Sequence, residues 1–308
     1  MAMRILLSGA SGMIGTALHM RLRDMGHDVR LLVRRPPAHD REVRWDPATD
    51  TVPSEQIEWA DAVVSLSGSS LTRLPWTPGY RSTIRSSRVD TTHTMATAIA
   101  EATNPPRVWA NASAVGYYGR GPRLDPFDES SPKGSGFLAD IVEMWEAATA
   151  PAADRTRVVH LRTGVVIGPM GALTPLALAT KFGCGPTFAS GAQRWPWVSL
   201  FDEARAIEHV LSADVAGPVN IAAPMLDTQS EVVDAVARRL HRPNWLRIPA
   251  PLLRVVLGTA ANDMLLADQP VAPNVLLDSG FEFSIDQIDE AVAVALGLKW
   301  KPPQSYSD

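Results

Sequence analysis

A chain of 308 residues, 45% of them hydrophobic, has room for one large domain with an appendage or for two domains, each with a core. A net charge of -4 with no basic run excludes a general attraction to nucleic acid or anionic lipid, and no stretch approaches the roughly 20 apolar residues of a membrane span. The single cysteine, Cys184, excludes a disulfide framework and a cysteine-based zinc site. No HxH or HExxH pair occurs among the seven histidines, so no metal is expected, and the composition suits a reducing cytoplasm.

Met1-Ala2-Met3-Arg4 runs straight into Ile5-Leu6-Leu7, without the apolar region of a signal peptide. That apolar run is the pattern of a parallel strand covered on both faces. It meets Ser8-Gly9-Ala10-Ser11-Gly12-Met13-Ile14-Gly15, after which Ile14, Leu18, Leu22 and Met25 recur at helical spacing until Gly26. A second strand follows, 29–33. The glycines in this strand-turn-helix context have separate jobs. Gly9 turns the chain off the strand, and Gly12 admits a pyrophosphate to the amides of the helix N-terminus. Gly15 lets the helix pack against the strand. Ser11, Met13 and Ile14 line the same turn.

The end of the second strand selects the cofactor. An NAD enzyme usually has Asp or Glu there, about 20 residues after the turn, to bind the ribose hydroxyl. Here the chain reads Val33-Arg34-Arg35. Two guanidiniums suit a 2′-phosphate, so NADP is expected in preference to NAD. The alternative is that both arginines are solvated loop residues.

Ala62-Val63-Val64-Ser65-Leu66-Ser67-Gly68 reads as a buried strand ending in small residues, with Leu66, Ser67 and Gly68 against the cofactor. Arg73, Trp76, Arg81 and Arg88 follow in a loop leading into a helix. There they contact cofactor phosphate or an anionic substrate, or else are solvated, and Arg88 is the best candidate. Helices are expected at 90–102 and 136–153, and strands at 108–113, 158–162 and 219–221. Arg194-Trp195-Pro196-Trp197 fits either a flat or anionic substrate or core packing. Thr228 to Glu231 is a capping box opening a helix through Leu240. Another helix begins at 252–257, a short strand is expected at 280–283, and a last helix opens at 284–286. Strands alternating with helices imply an α/β fold with a Rossmann-type doubly wound parallel sheet.

The Gly-x-x-Gly-x-x-Gly spacing resembles the short-chain dehydrogenase/reductase superfamily. Further motifs occur in order: Trp76-Thr77 with Ile84 and Ser87-Arg88; Ser113-Ala114-Val115-Gly116-Tyr117-Tyr118-Gly119; Trp145-Glu146; Arg162-Thr163-Gly164-Val165-Val166; Trp197 with Asp202; and Gly280-Phe281-Glu282-Phe283. Together they resemble its epimerase-like, extended or atypical branch, which carries a small C-terminal domain of unknown function. The resemblance implies an NAD(P)-binding domain over 1–225, with 168–200 contributing to the substrate cleft. It also implies a smaller C-terminal α/β domain over 226–308 on the substrate side.

Classical members of that superfamily use Tyr-x-x-x-Lys as acid/base, with a Ser or Thr polarising the substrate oxygen. No tyrosine here has a lysine four residues on, and the helix that should carry the pair reads Phe137-Leu138-Ala139-Asp140-Ile141-Val142-Glu143. Ser113 falls where the family's serine would. Tyr117 and Tyr118 are then the hydroxyls able to replace the missing tyrosine, one facing the nicotinamide while the other packs. The competing reading is that both tyrosines shape the pocket and Ser113 caps a turn. Two functions follow. One is an NADP-dependent oxidoreductase or epimerase-type enzyme acting on a small carbonyl or hydroxyl compound, with Ser113 and a tyrosine handling the oxygen. The other is an NADP(H)-binding sensor or assembly protein with weak or no catalysis. A small-molecule substrate is the expected partner, and a homodimer is possible.

Overall fold

The computed structural model describes residues 2–47, 52–121 and 124–298. The central sheet takes seven strands: β1 (Arg4–Ser8), β2 (Asp28–Val33), β3 (Glu42–Arg44), β4 (Ala62–Ser65), β5 (Val108–Ala114), β6 (Arg157–Thr163) and β10 (Gly217–Ile221). All pairings are parallel, in the order β3-β2-β1-β4-β5-β6-β10. The strand order reverses between β1 and β4. In open parallel sheets the crevice beyond the carboxyl ends of such a pair is the ligand site.

Alternate residues of each strand feed opposite cores. Ile5, Leu7, Val64, Ala110 and Leu161 pack with Leu18 and Leu22 of α1 (Met13–Asp24) and with Ile207 and Val210 of α6 (Leu200–Ser212). On the other face Leu6, Val63 and Trp109 meet Ile57 of α2 (Ser54–Trp59) and Met95 and Ile99 of α3 (Pro78–Glu101). The expected doubly wound α/β sheet is the observed one.

A second core lies beyond the carboxyl edge. The short parallel pairs β7 (Val165–Ile167) with β9 (Trp197–Ser199), and β8 (Pro186–Phe188) with β11 (Leu246–Ile248), support it. Trp195, Trp197, Val232, Val236, Ile288 and Val292 fill it, together with α5 (Leu173–Lys181), α7 (Gln229–Leu240) and α10 (Ile288–Ala295). The capping box is present, with Thr228 and Glu231 bonding each other's backbone amides. The remaining helices are α4 (Phe137–Ala147), α8 (Ala250–Leu257) and α9 (Asn274–Asp278).

Three local expectations are corrected. The helix expected at 90–102 begins at Pro78, because Thr77 caps it and a proline at the first position is tolerated. The helix expected at 136–153 ends at Ala147, and a 3₁₀ turn follows. Residues 280–283 form no strand. That segment is held by the buried Asp202, which accepts from the amides of Ser284 at 3.0 Å and Ile285 at 2.8 Å.

Candidate functional site

The turn from β1 to α1 is closed by backbone contact. Gly9 has φ +79°, and a Cβ on it would lie 2.6 Å from the Leu66 carbonyl carbon and oxygen. A Cβ on Gly15 would meet the Gly9 oxygen at 2.3 Å. Gly12 is different: the nearest atom to its added Cβ is the Gly9 oxygen at 3.4 Å. It stands as the extended N-cap of α1, with no side-chain cap and no acidic residue in the first turn. The first amides of α1 therefore stay free for an anion. Ser11 is exposed beside them, and Met13 and Ile14 are half-buried. Across the crevice Ser67 donates to the Ser8 hydroxyl at 3.2 Å, while Leu66 N–H bonds the Ser8 carbonyl at 3.1 Å. Leu66, Ser67 and Gly68 thus line the reversal point.

The two arginines after β2 have separate fates. Arg35 forms a two-pronged ion pair with Glu42 of β3, at 2.5 and 2.7 Å. Arg35 and the Ala38 amide together pull the Glu42 carboxyl down to about 2. Arg34 is exposed and bonds no described residue. Glu42 was missed by sequence reasoning, since only the pairing of β2 with β3 reveals it as Arg35's partner.

At the end of β5, Ser113 is 5% exposed and donates to Glu146 Oε1 at 2.6 Å. Glu146, on α4, is clasped by Arg162 of β6 at 2.8 Å to each oxygen. Burial pushes the Glu146 carboxyl up, but Arg162 and Ser113 hold it below its ordinary value. Arg162 also donates to the Tyr118 hydroxyl at 3.1 Å, and that hydroxyl donates to Asn220 Oδ1 at 2.7 Å. Tyr118 is 1% exposed and stacks on Phe127, with 5.0 Å between ring centroids. Burial raises its phenol to about 12. Its hydroxyl is therefore committed to the interior.

Tyr117 contrasts with its neighbour. It is half-buried, its ring lies 3.6 Å from the Arg162 guanidinium, and its hydroxyl bonds no described residue. The structure brings Ser113 and both tyrosines together around Arg162, but only Tyr117 keeps a free hydroxyl. Glu146, Arg162 and Asn220 had no role assigned from the sequence, although Trp145-Glu146 and Arg162-Thr163 stood out as motifs.

The start of α4 is apolar on its buried side. Phe137 and Ile141, four residues apart, pack with Trp76, Ile84 and Ala260. They form an apolar seam with the C-terminal part. The N-cap, Gly136, offers no side chain, and Asp263 instead accepts from the Leu138 amide at 3.2 Å. A further buried carboxyl, Glu203 of α6, faces the end of β6. Thr163 donates to Glu203 Oε1 at 2.8 Å, the other oxygen meets no partner, and burial raises the group to about 8.

Arg88 is partly buried beside Gly68 and donates to the carbonyls of Ile84 and Ser69, both at 3.1 Å. Trp197 is wholly buried and bonds Asp227 at 2.7 Å, and Arg194 pairs with Asp268. No helix among the described residues is long and apolar enough to cross a membrane.

Comparison with known proteins places this geometry. An epimerase family protein of Mycobacterium leprae is 37% identical over 294 residues, covering 94% of this chain and 95% of the relative. The crystal structure of human epimerase family protein SDR39U1 with NADPH is 33% identical, with a TM-score of 0.87, covering 96% of this chain and 100% of that one. MoeE5 in complex with UDP-glucose and NAD shares the fold at 22% identity, with a TM-score of 0.75 over 96% of this chain and 97% of that one. The description "Domain of unknown function (DUF1731)" matches residues 248–295. With residues 5–222 matching its family model, the chain belongs to the NAD dependent epimerase/dehydratase family.

Proposed function

We propose that the protein is an NADP(H)-dependent oxidoreductase or epimerase-type enzyme acting on a small carbonyl or hydroxyl compound. The observation that carries this reading is the free hydroxyl of Tyr117 under the Arg162 guanidinium, at the carboxyl edge that holds the glycine turn. The turn fits a dinucleotide. Its backbone leaves no space at Gly9 and Gly15 and leaves space at Gly12, where the α1 amides receive a pyrophosphate. Arg34, unpartnered, is available to a 2′-phosphate, and the NADPH complex of the human relative supports that choice. When bound, the nicotinamide supplies or accepts a hydride.

The chain's own groups handle the proton. Tyr117 donates to the substrate oxygen as it becomes an alcohol, or accepts from it in reverse. The Arg162 guanidinium, fixed by Glu146, stacks on the Tyr117 ring and orients it. Glu146 fixes Arg162 from both sides and holds the Ser113 proton, so Ser113 presents lone pairs and acts as a positioning residue. The test is a carbonyl panel with NADPH on wild-type, Tyr117→Phe and Tyr118→Phe protein. We expect Tyr117→Phe to lower turnover by about 100-fold with an unchanged melting temperature, as loss of a general acid does. Turnover independent of Tyr117 would sink the catalytic assignment. Tight NADPH binding without turnover on any carbonyl would favour a sensor.

A further inference from the structure

We infer that the wall from Arg73 to Arg88 receives an anionic group, carboxylate or phosphate, on the substrate; this rests on reading the cleft as an NADP(H)-dependent site. The sequence between Asp61 and Asp90 contains four arginines, Arg73, Arg81, Arg85 and Arg88, and no acidic residue, in a chain whose net charge is -4. Three of the four are oriented by aromatic faces. Arg73 lies 5.0 Å from the Tyr80 ring, Arg81 4.2 Å from the Phe137 ring and Arg88 5.2 Å from the Trp145 ring. Rings and carbonyls orient a guanidinium without cancelling its charge, whereas a carboxylate would cancel it.

Arg88 is the deepest of the set. Its two carbonyl bonds hold it against Gly68, where an added Cβ would come within 3.4 Å of the guanidinium carbon. Burial lowers its guanidinium to about 10, and the only titratable group acting on it is Tyr80. A partly desolvated cation with no counter-charge is stabilised by an incoming anion. The first turn of α3 adds to this: Thr77 caps it and it holds no acidic residue. Asp263 feels the charge of Arg81 and Arg120, but it makes no ion pair among the described residues and accepts from the Leu138 amide.

Two features favour substrate over cofactor as the source of the anion. The cofactor's phosphates already have the α1 N-terminus and Arg34. Arg81 instead lies against Phe137, at the head of the helix where the superfamily's acid/base pair would stand.

The experiment titrates NADPH-saturated protein calorimetrically with inorganic phosphate and, separately, with acetate. At least one anion should bind the loaded protein, and the stronger binder identifies the substrate's group. Arg81→Gln and Arg88→Gln should each weaken that binding by about tenfold or more, as expected for one charge-assisted contact. Arg81→Gln should not change NADPH affinity by more than about twofold, a shift well below one such contact. Arg85 is exposed on the same helix, and Arg85→Gln should leave anion binding unchanged. Where Arg88→Gln lowers the melting temperature, Arg88→Lys keeps the charge and loses the planar fork, and should show an intermediate loss. The inference is overturned if neither anion binds, if NADPH competes with the anion, or if Arg85→Gln matches Arg81→Gln. Failure of wild-type protein to bind NADPH overturns the cofactor reading, and this inference with it, through a separate readout.

Discussion

The turn joining β1 to α1 is built from consecutive residues, Ser8 to Gly15, whereas the cluster at the end of β5 draws Ser113, Tyr117 and Tyr118 together with Glu146, Arg162 and Asn220 from distant parts of the chain. The turn works through backbone shape, with Gly9 and Gly15 touching main-chain atoms. The cluster works through charge, with one carboxylate and one guanidinium neutralising each other inside the protein. The two therefore respond to mutation by different routes, the turn through clashes and the cluster through lost charge pairing.

The largest effect should come from splitting the charge pair. Arg162→Met leaves Glu146 buried without its cation and should cost about 3–5 kcal/mol, read from denaturant unfolding. Adding Glu146→Leu should recover much of that loss while turnover stays low. A double variant as unstable as the single one would contradict the account.

Glu203 is the foil to Glu146: a buried carboxyl near the same edge with a hydroxyl donor and no cation. Its folded value, about 8, lies above the ordinary 4.5, so the folded state holds the proton more tightly than the unfolded chain. The Glu203 contribution to stability should then be fullest at and below the unfolded value, and should be lost as pH rises towards about 8. Glu203→Gln should remove that slope, gaining roughly 2 kcal/mol on wild type between pH 6 and 8. Parallel stability curves for the two proteins would refute the burial argument.

A smaller effect separates the arginines after β2. Arg34→Ala should weaken NADPH by about tenfold, one charge-assisted contact, and leave NADH nearly unchanged. Arg35→Ala should also weaken NADPH, because it releases the Glu42 charge beside the 2′-phosphate position. Adding Glu42→Gln should restore NADPH binding in the Arg35 variant and not in the Arg34 variant. Identical responses of the two would show that both contact the cofactor directly.

The sequence was most legible where a function depends on neighbours in the chain. Gly9, Gly12 and Gly15 announce the turn because their spacing sets its geometry, and the alternating strands and helices announce the doubly wound sheet. The pairing of Arg35 with Glu42 was not legible, because it is defined only once β3 pairs with β2. Tyr117 and Tyr118 are adjacent and chemically identical, so pattern alone could not rank them. Burial against Phe127 and the bond to Asn220, 102 positions away, separate them. The 280–283 segment has the alternation of a strand, but Asp202 takes its neighbouring amides and no partner strand is paired with it.

The carboxylate of Asp263 at the head of α4 bears on modularity. The helix that carries Glu146 borrows its first-turn acceptor from a residue 125 positions later, and leans Ile141 on Ala260 from the same region. Excising everything after the last strand of the main sheet would therefore reach into the main sheet's own helices. It would leave α4 uncapped and its apolar seam wet, loosening the clasp on Arg162 from the far end. Grafting a C-terminal unit from a relative would succeed only if the graft delivered an acceptor to that same spot, so the two parts are constrained to change together.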